Sequence, residues 1–188
     1  MTETLAPHTT AEQQVLNLNA LPELDEAQLA SRMPQDLAQA LYRDVPTVWD
    51  TACRVNPNAE GMCLVSAAVL GHHIQHVTSV RLNAVHGTFA GEAHWWLEYA
   101  GVVIDPTVTQ FGDRHTDRYV GLPMFTEAKT VYNESMPYRP ERRFTSEWNT
   151  RELVVAEAER AFIYTTQARM FVDEVFDELG HTSASTRS

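Results

Sequence analysis

Three observations predict an α+β fold. Helical apolar spacing punctuated by proline occupies residues 25–55, and a run apolar almost all round follows at 62–71. Two segments of alternating character then face each other across Ala100-Gly101. With a helical pattern at 149–179 the order becomes helices, one buried helix, an antiparallel sheet and a long terminal helix.

The elements follow in order. Pro34 suits the first residue of a helix that carries Leu37, Ala38 and Leu41 on one face. Pro46 should break that helix, leaving Thr47 to cap a short one with Val48, Trp49 and Ala52. Asn56-Pro57-Asn58-Ala59-Glu60-Gly61 reads as loop. Met62 to Gly71 lacks a polar face, which places that helix inside the domain. Thr78 to Val85 is rich in β-branched residues and predicts a strand, with further strands at His94–Tyr99 and Val102–Asp105. Pro106 to Thr145 reads as loop, apart from a short helix at Glu127–Tyr132. Asn149 with Glu152 forms a capping box for a helix that Gly180 ends. Its stripe of Ala161, Phe162, Ala168, Phe171, Val175, Phe176 and Leu179 should pack on the domain or form a homodimer contact.

The expected organisation is a flexible start (1–10), a single domain over 11–180 and a disordered tail (181–188). Within that domain a core spans 56–112, with helical flanks at 11–55 and 146–180. The 188 residues carry 14 basic and 25 acidic side chains, a net charge of −11, which disfavours nucleic acid and anionic lipid as partners. The polar start is unlike a signal peptide, and no stretch approaches the roughly 18 apolar residues of a membrane span. A cytoplasmic setting is therefore expected. There, two cysteines, Cys53 and Cys63, are free thiols rather than a disulfide framework.

Chemistry concentrates in Gly61-Met62-Cys63-Leu64, Gly91-Glu92-Ala93-His94-Trp95-Trp96 and Val102-Val103-Ile104-Asp105-Pro106-Thr107. Cys63 stands in the first turn of the buried helix, where unpaired N–H groups and the helix dipole favour a thiolate. If Ala100-Gly101 is a two-residue turn, Tyr99 pairs with Val102, Glu98 with Val103, Leu97 with Ile104 and Trp96 with Asp105. His94, Trp96, Glu98 and Asp105 then share one face, with His94 and Asp105 on a diagonal of about 7 Å that a hydrogen bond can close. A thiolate nucleophile, an imidazole proton carrier and an orienting carboxylate are the parts of acyl-transfer chemistry. The backbone N–H of Cys63, with a side-chain amide from Asn58 or Asn56, can supply an oxyanion hole. Trp96 would wall the site against water, and Glu98 would be a substrate contact or a solvated strand residue.

These residues resemble the transglutaminase-like branch of the papain-like fold. Gly-x-Cys-Leu, Ala-His-Trp-Trp-Leu-Glu and Gly-Val-Val-Ile-Asp-Pro-Thr, with Gln110-Phe111 close behind, are similar to small bacterial and phage proteins of that group. The resemblance covers residues 60–112, with Leu64 where true transglutaminases often carry an aromatic residue. It implies Cys63 as nucleophile, His94 as general base and acid, Asp105 as orienting carboxylate and Gln110 in the substrate cleft. It also implies hydrolysis or transfer at an amide, isopeptide or ester through a thioester, with no metal or organic cofactor. The substrate would be a peptide, a protein or a small acyl compound.

Two other readings draw on the same sequence. One is a transglutaminase-like scaffold kept as a non-catalytic binding module. The other is a zinc-dependent hydrolase using His72 and His76, four apart on a helix, with His73 between them. The same three histidines also suit the negative end of a helix without any metal. His86 and His115 lie beside expected turns, and Arg139, Arg142 and Arg143 form a basic run on an acidic chain, suited to solvent or an acidic substrate.

Overall fold

The computed structural model describes residues 23–56, 61–108, 110, 123–133, 137–145, 148, 151–161 and 165–180. It is an α+β structure in which helices pack on a five-stranded antiparallel sheet. The helices are α1 (Glu26–Ala30), α2 (Gln35–Val55), α3 (Cys63–Thr78), α4 (Ala128–Val131), α5 (Arg151–Ala161) and α6 (Thr165–Glu178). The strands are β1 (Asn83–Phe89), β2 (Glu92–Tyr99), β3 (Val102–Ile104), β4 (Phe125–Glu127) and β5 (Tyr138–Thr145), in sheet order β4-β3-β2-β1-β5. Among the described residues no helix is long and apolar enough to cross a membrane.

Helix α3 is the centre of the packing, against α2, α5 and α6 on its helical side and against β2. Its residues Val65 to Gly71, and Ile74, are buried, which accounts for a segment with no polar face. The larger core joins the helices to one face of the sheet through Leu41, Val69, Leu70, Leu97, Ile104 and Phe176. A smaller cluster, with Val85, Phe89, Trp96, Val103, Val131 and Tyr138, covers the opposite face.

Pro46 does not break α2, which runs unbroken through it. Leu41, Val45, Val48 and Ala52 form a single buried stripe on both sides of the proline. Pro46 itself is exposed, so the carbonyl that loses its helical partner faces water. Consequently Thr47 caps nothing and lies inside the helix. The strand expected from Thr78 begins later, at Asn83, because α3 runs on to Thr78, whose hydroxyl donates to the Ile74 carbonyl at 2.7 Å. There Ser79 ends the helix in a left-handed conformation (φ 59°), its N–H on the Gln75 carbonyl at 2.9 Å.

Two hairpins set the register. Leu97 pairs with Ile104, Glu98 with Val103 and Tyr99 with Val102, as a two-residue turn requires. Ala100 and Gly101 both take positive φ (47° and 77°), and so do Ala90 and Gly91 (52° and 89°) between β1 and β2. Positive φ at both central residues matches the right-handed twist of the strands, so each alanine adopts a conformation it seldom favours.

Strand β5 falls where loop was expected. It pairs with β1 along the sheet edge, with an irregularity at His86/Gly87 and Pro140 opposite Gly87. An edge strand tolerates proline and arginine because one side makes no ladder bonds. The single long helix expected at 149–179 is two, α5 and α6, packed on each other. One helix of that length would span roughly 45 Å, well past a sheet of such short strands, whereas two can both cover it. Phe171, Val175 and Phe176 are thereby buried in the chain's own core. Ala161, Phe162 and Ala168 of the expected stripe, and Asn149 of the capping box, lie outside the residues whose side chains are described.

Candidate functional site

The site forms where the first turn of α3 meets the ends of β2 and β3. The first intrahelical bond of α3 is donated by the Ser66 N–H to the Met62 carbonyl at 2.9 Å, and no side chain caps this end. The N–H groups of Cys63, Leu64 and Val65 therefore precede the helical ladder, and the half-buried Cys63 side chain sits at its positive end. His94 projects from β2 and is wholly buried, as is Asp105 one residue beyond β3.

His94 Nε2 meets Asp105 Oδ2 at 2.6 Å, the diagonal contact that the hairpin register allows. The Cys63 side chain lies close enough to the same ring to help raise it. With Asp105 at Nε2, Nδ1 is the nitrogen left to the sulfur. Gln110, itself buried, places Nε2 at 3.4 Å from that same Nδ1. Burial by itself would drive the imidazole toward neutrality. The charge and hydrogen bond of Asp105, then the Cys63 sulfur, outweigh it and push His94 up to about 10.

Asp105 is held from both sides. Its Oδ1 accepts from the Thr107 N–H at 3.0 Å and the Thr107 hydroxyl at 3.3 Å. Its Oδ2 accepts from the Tyr138 hydroxyl at 2.8 Å as well as facing His94. Burial and the Asp105 charge hold the Tyr138 proton on its oxygen, raising that hydroxyl well above the usual range. Tyr138 escaped sequence reading, since it opens an edge strand that the proline and arginines of its segment disguise. Its only signal was an aromatic residue at the border of an otherwise polar run.

Trp96 is fully buried and stacks on the His94 ring with centroids 5.7 Å apart, backing the imidazole from within the sheet. Its indole N–H donates to the Tyr132 hydroxyl at 2.7 Å, and that hydroxyl donates to Glu98. Glu98 also pairs with Arg143, Nε to Oε2 at 2.9 Å. Its carboxylate thus ties β2 to β5 and α4. Of the expected oxyanion amides, Asn56 caps the C-terminus of α2 with its N–H on the Ala52 carbonyl at 2.9 Å, and Asn58 lies outside the described residues.

The three neighbouring histidines divide. His72 Nδ1 meets the Trp148 carbonyl at 2.8 Å and its ring lies edge-on to Phe176, while burial holds it below the usual imidazole range. His73 Nε2 meets Asp44 Oδ2 at 2.7 Å in the interior, and Arg43 donates to both oxygens of that carboxylate. His76 is exposed. Among the described residues no three such side chains come together as a metal site. His86 faces Glu141 at 3.6 Å, and His115 is outside the described residues.

A cysteine at a helix start, an imidazole with a protonated bearing and a buried carboxylate behind it can generate a thiolate and carry its proton. Set beside known proteins, this chain matches no family model, no curated protein and no solved structure.

Proposed function

We propose that this chain is a cysteine-dependent hydrolase or acyl transferase of the transglutaminase-like kind, acting on an amide, isopeptide or ester. The supporting observation is the buried pair in which Asp105 holds one nitrogen of His94, with the Cys63 side chain near enough to the ring to help raise it. Cys63 transfers its proton to Nδ1, and the sulfur adds to the substrate carbonyl carbon, moving the C=O π pair onto oxygen. Collapse of that adduct breaks the bond to the leaving group, which takes the proton back from His94. The resulting thioester is resolved by water or an amine, with His94 accepting that nucleophile's proton. The order of Cys63, His94 and Asp105 along helix and hairpin also agrees with the papain-like topology.

The test uses reagents rather than a natural substrate. Iodoacetamide, followed by peptide mapping, should label Cys63 ahead of Cys53, because a sulfur beside an imidazole that can take its proton is the better nucleophile. His94→Ala should slow Cys63 labelling by roughly 10²-fold or more, in line with loss of a general base. Equal labelling of both cysteines, unchanged by His94→Ala, would leave a binding scaffold as the better reading.

A further inference from the structure

We propose that the Gln110 carboxamide is the side-chain donor of the oxyanion hole, opposite the backbone N–H of Cys63. This rests on the acyl-transfer reading above and assigns it a group that neither Asn56 nor Asn58 needs to supply. Three observations carry it.

First, Gln110 is 5% exposed, and its Nε2 lies 3.4 Å from Nδ1, the ring nitrogen that Asp105 leaves to the Cys63 sulfur. The amide is therefore beside the atom that attacks. Second, its contact is long. At 3.4 Å, and with Asp105 keeping His94 protonated, Nδ1 offers no lone pair to this N–H, so the amide is held in place by its own turn rather than by the ring. When the sulfur adds to the substrate carbonyl, the carbonyl oxygen becomes an oxyanion, a strong acceptor that the amide lacks at Nδ1 in the resting site. A donor held poorly in the ground state and well in the transition state contributes to rate rather than to binding. Third, the amide is preorganised. The Gln110 N–H donates to the Thr107 carbonyl at 3.0 Å, and Thr107 is fastened to Asp105 by its N–H and hydroxyl. One short turn thus presents a carboxylate to Nε2 and an amide to Nδ1 of the same imidazole.

Two reagents separate this role from a merely positional one. p-Nitrophenyl acetate acylates a thiolate through a tetrahedral oxyanion, whereas iodoacetamide alkylates it at a saturated carbon with no oxyanion. In the full chain, Gln110→Ala and Gln110→Met, the second matched in length without a donor, should each lower the acylation rate of Cys63. The expected loss is about 10²-fold, with alkylation within about threefold of wild type. Equal rates of acylation in wild type and both variants would overturn the proposal. So would a parallel fall in both reactions, which would make Gln110 a residue that sets the thiolate itself. Acylation of Cys63→Ala at the wild-type rate would instead remove the acyl-transfer reading, whatever Gln110 does.

Discussion

Both oxygens of Asp105 are engaged in a place with no access to water, so its hydrogen bonds decide whether a buried charge is tolerable. Tyr138 provides one of them from a strand more than thirty residues away in sequence. Tyr138→Phe keeps the ring, which packs edge-on against Phe89 at 4.8 Å and Trp96 at 5.2 Å, and deletes only the donor. It should cost about 1–3 kcal/mol in denaturant unfolding, the range for a lost bond to a charged group. Iodoacetamide should still find Cys63, because Asp105 keeps its grip on Nε2. At this scale the sequence told much. A helix-start cysteine and a hairpin parity that puts His94 and Asp105 on one face are local properties, readable by counting. The partners of Glu98 were not readable, because Tyr132 and Arg143 reach it only through packing of separate segments.

Among the elements, the pairing of β5 with β1 has the least tolerance. A Cβ placed on Gly87 would lie 2.1 Å from the Arg139 carbonyl oxygen and 2.8 Å from Trp96 Cη2. Gly87 pairs with His94 on one side and with Pro140 on the other, so the strands that hold His94 and Tyr138 meet at this residue. Gly87→Ala must push the β5 backbone away, and with it Tyr138. We expect a loss of roughly 2–4 kcal/mol, larger than for Tyr138→Phe, because a backbone clash adds to the lost hydrogen bond. A Gly87→Ala variant that melts with the wild type would show that β5 can shift freely. Helices were legible by apolar spacing, except where Pro46 was absorbed into a helix with a continuous buried stripe and where α3 ran through its β-branched end to Thr78. The edge strand was illegible because edges are built from the residues that mark loops.

For the whole molecule, the buried pair of His94 and Asp105 couples protonation to folding. His94 has its pKa at about 10 against 6.5 for a free ring, so the folded chain binds a proton more tightly than the unfolded one. That contribution is complete below about pH 6.5 and is lost as pH rises through about 10. The gap in Tm between wild type and His94→Gln should therefore be widest in mild acid and narrow steadily toward pH 10. A gap independent of pH would mean that the buried ring carries no charge. Asp44 acts in the opposite direction: burial raises its pKa, but Arg43 and His73 hold it below the usual range. Its contribution is present above the ordinary carboxylate range and fades in strong acid.

What the sequence determined by itself is local in origin: an α+β order of elements, a buried helix opening at Cys63, and a hairpin whose turn length brings His94 and Asp105 to one face. These follow from periods of 3.6 and 2 and from the geometry of a two-residue turn, none of which needs a distant partner. The tertiary structure decided the rest: that Cys63 comes near the His94 ring, that Tyr138 and Thr107 share Asp105, that Gln110 reaches Nδ1, and that the terminal helical pattern folds into two. Such contacts join segments far apart in the chain, and their energy comes from burial, which becomes available only once those segments pack together.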